Sequence, residues 1–145
     1  MVRVFDRGLI SMAAITKSTN GVGIATPLPN YNSMIAGLAA GEALATGDVI
    51  YIKSDGTVWR ADGSTGTAKN VVRAIAIRDV LTGQKVTLAR SVRVTYCDAS
   101  GLTPGAEIYL SASVLGGLDT ATSTNCTSPV AFAISDTDMH FGGQM

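Results

Sequence analysis

One segment of this chain occurs twice, and that repeat limits its fold more than any other feature. Leu44-Ala45-Thr46-Gly47-Asp48-Val49-Ile50-Tyr51-Ile52 returns as Leu102-Thr103-Pro104-Gly105-Ala106-Glu107-Ile108-Tyr109-Leu110, with Leu, Gly, Ile and Tyr at matching places 58 residues on. A weaker echo comes after each copy, Ala74-Ile75-Ala76-Ile77 and then Ala131-Phe132-Ala133-Ile134. Each copy reads as a tight glycine turn feeding a short apolar strand. Two related sets of short strands are how small barrels and sandwiches are assembled. Neither copy carries a catalytic group.

The 145 residues suffice for one domain with a sizeable core. Charged residues make up only 15% of the chain, against about 25% in an ordinary soluble domain. Much of the surface must therefore be Ala, Gly, Ser and Thr, which suits contact with other protein. Lys and Arg balance Asp and Glu at 11 each. No net field draws the chain to nucleic acid or to an anionic membrane, and neither is an expected partner. Zero net charge also removes a common defence against association. No apolar run approaches the length of a membrane span. Met1 to Ile15 is interrupted by Arg3, Asp6 and Arg7 and does not read as a leader, so synthesis in the cytoplasm is the expectation.

Residues 1–40 lack a long strand pattern and read as an extended N-terminal arm, leaving 41–145 as the folded domain. Asn20-Gly21 could close a hairpin between Ile15 and Ile24, and Pro27-Leu28-Pro29 makes a stiff, extended stretch after it. Residues 33–46 are rich in Ala and Leu and predict one or two helical turns, limited by Gly37 and Gly41. From Asp48 onward the pattern is β. Asp55-Gly56 predicts a two-residue hairpin placing Ile52 opposite Trp59 and Ile50 opposite Ala61, with Tyr51 beside Arg60 and Trp59 in the core. Val71 to Arg78 is the next strand. Gln84 to Tyr96 alternates well except at Arg90, where a corner near Arg90-Ser91 splits it in two. Val130 to Ile134 is a short last strand.

Candidates for chemistry are few. His140 is the one histidine, and Asp136, Asp138 and His140 alternate so as to share a strand face, a set that could hold a divalent metal. The spacing is unspecific, and a solvated chain end is the plainer reading. Cys97 and Cys126 are the only cysteines and read as buried thiols rather than a disulfide framework. No Gly-x-Ser-x-Gly elbow is present. Gly21-Val22-Gly23 begins like a dinucleotide loop, but Thr26 stands where the third glycine belongs and prolines come next. The chain is not expected to be an enzyme, nor to need a cofactor or a metal.

Gly41 to Ala61, with Glu42-Ala43-Leu44-Ala45-Thr46-Gly47-Asp48 leading into Lys53-Ser54-Asp55-Gly56-Thr57-Val58-Trp59-Arg60, resembles the opening of the capsid decoration, or cement, proteins of tailed bacteriophages. Arg73 to Ile77, Gly83 to Leu88 and Leu102 to Ser111 resemble their later elements in the same order. The resemblance covers about residues 40–135. It implies an all-β domain, a small β-barrel or β-tulip of short antiparallel strands with an extended N-terminal arm. It implies a homotrimer on the outside of a virion head that binds the major capsid protein and neighbouring decoration trimers. Arg3, Phe5, Arg7 and Leu9 are then the candidate contacts of the arm. The competing reading is a carbohydrate- or receptor-binding barrel on a virion, with Trp59 or Tyr51 as its stacking platform.

Overall fold

Gly47 and Gly105 set the frame. Both take a left-handed backbone, with φ of +91° and +86°, which only glycine adopts without cost. Each donates its N–H, at 2.8 Å, to the last residue of a later strand, Gly47 to the Ala76 carbonyl and Gly105 to the Ala133 carbonyl. The agreement extends outward. Leu44 N–H bonds the Val80 carbonyl and Leu102 N–H the Asp136 carbonyl, both at 2.9 Å. Arg73 N–H meets the Ile50 carbonyl at 2.9 Å, and Val130 N–H meets that of Ile108 at 2.8 Å. The sequence repeat is thus a repeat of hydrogen bonds.

The computed structural model describes residues 14–24 and 34–142. The strands are β1 (Gly23–Ile24), β2 (Met34–Ala39), β3 (Val49–Ile52), β4 (Val58–Arg60), β5 (Ala74–Ala76), β6 (Lys85–Ala89), β7 (Val92–Thr95), β8 (Glu107–Leu110), β9 (Leu118–Asp119), β10 (Ala131–Ala133) and β11 (Asp138–Phe141). They form two antiparallel sheets, in the orders β2-β6-β5-β3-β4 and β1-β7-β11-β10-β8-β9. Apart from β1, the second order is the first with every strand replaced by the one five places later. The chain is therefore a tandem pair of five-stranded units, and the two copies of the sequence repeat lie at the same position in different sheets. Among the described residues there is no α-helix, only a 3-10 turn at Ala68–Asn70 whose cap, Thr67, accepts from Lys69 N–H.

The all-β expectation holds, whereas closure is limited. In the first sheet the edges meet at one bridge, Ala40 to Val58, backed by Gly41 N–H to the Val58 carbonyl at 2.9 Å. In the second, residues 14–24 run between the edges, with Ala14 bridging Asp119 and β1 pairing with β7. Neither contact is a full ladder, so both sheets remain open by strand pairing. The described part of residues 1–40 is hydrogen-bonded into these sheets. Residues 34–39, read as helical turns, are strand β2, with a bulge between Ala36 and Ala39 and Gly37 at φ +92°. Pairing with β6 outweighs the helical preference of Ala and Leu. Asn20 and Gly21 do turn the chain, but Ile15 N–H bonds Leu118 and Ile24 pairs with Val94, so no hairpin joins them.

The β3–β4 hairpin is shifted by one residue from the expected register. Ile50 faces Arg60, Tyr51 faces Trp59 and Ile52 faces Val58. The loop has three residues rather than two, because Lys53 N–H bonds the Thr57 carbonyl at 2.9 Å. Asp55 sets this loop, its Oδ1 accepting from Thr57 N–H at 3.0 Å and Thr57 Oγ1 at 2.6 Å, and Gly56 takes φ +88°. A one-residue slip exchanges the faces. Val58 is therefore fully buried, and Trp59 is half-buried beside Tyr51.

Two apolar clusters result from the duplication. The inner face of the first unit contributes Leu44, Ile50, Val58, Ala74, Ala76, Val86 and Leu88 to one. The equivalent face of the second contributes Ile108, Leu110, Ala131, Ala133, Met139 and Phe141 to the other. The first unit's outer face adds Val49, Ile75 and Ala89 to that second cluster. Strand β5 is accordingly buried on both faces, Ala74 and Ala76 toward one cluster and Ile75 toward the other. The split expected at Arg90-Ser91 is the point where the chain leaves β6 of one unit and enters β7 of the next.

Ile75→Ala should cost about 2–5 kcal/mol, since the cavity would open where the two units meet. Phe132→Ala, at the matching place in the second unit but exposed, should cost under about 1 kcal/mol. Urea unfolding monitored by Trp59 fluorescence separates the two; equal midpoint shifts would contradict the assignment of Ile75 to the junction.

Candidate functional site

The outer face of the second sheet is the best candidate. Strands β7, β8 and β10 alternate, so Val94, Ile108, Leu110, Ala131 and Ala133 turn inward while Arg93, Glu107 and Phe132 turn out. The ladder puts four outward residues in one row. Arg93 pairs with His140, His140 with Phe132 and Phe132 with Glu107. Phe132 is 49% exposed, and its ring centre lies 5.5 Å from that of His140 with the planes tilted by 33°. Ser91 Oγ is 3.2 Å from His140 Nε2. Tyr109 donates its hydroxyl to Glu107 Oε1 at 3.2 Å. At the other end Arg93 Nε donates to Asp138 Oδ2 at 3.0 Å.

Asp138 anchors the cationic end. Burial alone would raise its carboxyl, but hydrogen bonds from Thr137, Arg93 and Thr95 hold it below the usual carboxylate range. An antiparallel sheet with one solvated face should carry polar residues there. A half-exposed phenyl ring in mid-row breaks that rule, and a broken rule marks a candidate contact surface.

A second hollow is lined by Leu44, Asp48, Arg60, Asp79, Val80 and Leu81. Its charges are engaged within the chain. Lys17 Nζ bonds Asp48 at 2.6 Å, Arg60 Nη2 bonds Glu42 at 3.1 Å, and Asp79 accepts from Thr46 N–H at 2.8 Å. The Asp79 carboxyl is held below its usual range by those Thr46 hydrogen bonds. Leu81 at its rim is 65% exposed, so this hollow presents an apolar lip above paired charges.

The residues singled out in the sequence are dispersed. Arg3, Phe5, Arg7 and Leu9 lie outside the described residues. Asp138 and His140 do share the outer face of β11, but Asp136 sits in the preceding turn, where its Oδ2 accepts from Ser100 N–H at 2.9 Å. Among the described residues no cluster of three or more metal-binding side chains forms. Cys97 and Cys126 are both buried and unpaired, and burial pushes each thiol up from its usual range. Tyr51 is buried, which removes it as a stacking platform. Trp59 Nε1 donates to Thr57 Oγ1 at 2.8 Å, and the Lys53 ammonium lies 5.2 Å from the ring centre. A β-carbon at Gly41 would collide with the Trp59 indole, which packs directly against that glycine.

Phe132 was not singled out from the sequence, although the repeated Ala-x-Ala-Ile segment contained the signal. Both copies put a large apolar residue at x, Ile75 and Phe132, and one of those is exposed. No protein-family model matches the chain, and no characterised protein matches it in sequence. Among the described residues no helix is long and apolar enough to cross a membrane.

Arg93→Met tests the electrostatics of the row. The depressed Asp138 carboxyl adds stability above the unfolded carboxyl value of about 3.9 and loses it as pH falls through the folded value. Removing Arg93 weakens that depression, so the acid-unfolding midpoint should move to higher pH. At neutral pH the loss should be about 1 kcal/mol, because Arg93 is half exposed and solvent screens the pair. Fluorescence-monitored acid titration of both proteins gives the answer.

Proposed function

We propose that this chain is a structural capsid decoration protein, which binds the outer surface of a tailed-phage head as a trimer and stabilises the lattice of the major capsid protein. The observation that carries the reading is the ordered set of segments resembling that family. In this structure they are framework elements: Gly41 to Ala61 leads into and forms β3–β4, Arg73 to Ile77 contains β5, Gly83 to Leu88 contains most of β6, and Leu102 to Ser111 contains β8. The barrel or tulip form belongs to the same proposal, with the Ala40–Val58 bridge as the seam of the first unit.

Surface chemistry supports the reading. The chain is poor in charge and neutral overall, and it exposes Leu81, Val114, Leu115 and Phe132. Such a surface favours contact with protein. Repeated attachment across a lattice turns modest contacts into firm retention. In this proposal the protein is made in the host cytoplasm and acts on the virion exterior. Residues 2–10, carrying Arg3, Phe5, Arg7 and Leu9, are the arm that grips the capsid. A fully extended chain spans about 3.3–3.6 Å per residue, so a nine-residue segment can reach at most roughly 30 Å.

Purified full-length protein mixed with undecorated phage heads should co-sediment saturably and raise the temperature at which heads burst. Deleting residues 2–10 should weaken binding while the protein stays folded and trimeric. Absence of binding by folded protein would overturn the proposal. A glycan-dependent change in Trp59 fluorescence would then favour the carbohydrate-binding alternative.

A further inference from the structure

We infer that the outer face of the second sheet is a self-association surface, on which two copies of this chain pack face to face about a two-fold axis parallel to the strands. Two independent observations carry this.

The first is the equivalence of the units. Tracing the ladder across the first sheet gives the row Met34, Ala89, Ile75, Val49. Across the second it gives Arg93, His140, Phe132, Glu107. These rows occupy the same position in units with the same strand order. In the first unit the row is an interface, since Val49, Ile75 and Ala89 are fully buried against the second unit's core. In the second unit the same position keeps a large apolar residue, Phe132, and leaves it 49% exposed.

The second is the order of charge along the row, with a cation at one end, two rings in the middle and a carboxylate at the other end. A two-fold axis along the strands, between β10 and β11, reverses such a row onto itself. Arg93 then meets Glu107 of the other copy, His140 meets Phe132, and each contact occurs twice. The neighbouring row on one side also fits. Asp138 pairs there with Thr95, and its carbonyl accepts from Ile134 N–H at 2.9 Å, so the reversal brings Asp138 of one copy toward Ile134 of the other rather than toward a second carboxylate. The paired groups have capacity to spare. Arg93 uses Nε for Asp138, leaving both Nη groups to donate, and Glu107 accepts from Tyr109 on Oε1, leaving Oε2 to accept.

Four strands at about 4.8 Å give a row of about 14 Å between its outer strands, so the contact is small and its affinity modest. The reading is separate from capsid attachment, because it concerns purified protein without heads. It is also distinct from a three-fold contact, because a two-fold axis joins copies in pairs.

Sedimentation equilibrium of the full chain from about 10 to about 500 µM should show a pairing step that weakens as salt rises from about 20 to about 500 mM, in keeping with two exposed ion pairs. Glu107→Arg and Phe132→Asp, each at an exposed position, should weaken pairing at least tenfold while circular dichroism and the urea midpoint stay close to wild type. Val114→Asp, an exposed apolar position outside the row, should leave it unchanged. Wild-type protein with no pairing step, or Glu107→Arg pairing as tightly as wild type, would overturn the inference. Head binding that persists in Glu107→Arg, together with loss of pairing, would keep the two functions distinct.

Discussion

The structure depends on the burial of strand β5 from both sides. Ala74, Ile75 and Ala76 have essentially no exposure, yet the two alanines belong to one cluster and the isoleucine to the other. A three-residue strand thus joins two cores. Burying apolar side chains is worth roughly 25 cal/mol per Å² removed from water, and a small sheet with one wet face gains half of what it could. By turning Val49, Ile75 and Ala89 onto the second unit, the first unit uses both faces. Small residues at 74 and 76 suit the tight interior of a five-stranded sheet that nearly meets itself at Ala40 and Val58, and a larger side chain there would have to displace Ile50 or Leu88.

Tandem units raise a general difficulty: two copies of one sheet cannot both be covered by each other in the same way. One outer face is consumed and its counterpart remains. Here the counterpart is modified at the ends of the row, where Val49 becomes Glu107 and Met34 becomes Arg93. At the centre Ala89 becomes His140, while Ile75 becomes Phe132 and a large apolar side chain is kept. Charged ends keep the face wet at low concentration and forbid random stacking, because a copy arriving in the wrong orientation sets Arg93 against Arg93. The same charges favour the one arrangement in which opposite ends meet.

Much of this architecture was legible from residues. Gly47 and Gly105 announced the duplication, because a left-handed turn before an apolar strand admits few substitutes. Arg90-Ser91 announced the passage between units, since a charged residue interrupts an otherwise alternating run. Register and partner choice escaped. The Asp55-Gly56 pair allowed loops of two or three residues, and the hydrogen bonds of Asp55 to Thr57 decided for three, moving Trp59 from the core to its edge. Met34 to Ala39 is helix-prone locally and becomes a strand only because β6 lies beside it. The candidate face was the least legible feature. Alternation marked Phe132 as outward, but only the ladder puts Arg93, His140 and Glu107 from three other strands in line with it.

This ordering of legibility has a physical basis that bears on function. Turns and caps are local, so their residues report on themselves. Cores are semi-local, so periodicity reports on them through the repeat. A contact face on a sheet is assembled across strands distant in sequence, from β7 to β11, and its character lies in the lateral order of charges rather than in any one segment. An enzyme often compensates with a few chemically distinctive residues, whereas an adhesive surface has none that it must display. For a face assembled in this way the informative comparison is internal. A position that is buried in one unit and exposed in its duplicate points to where a partner belongs, and here it points to Phe132.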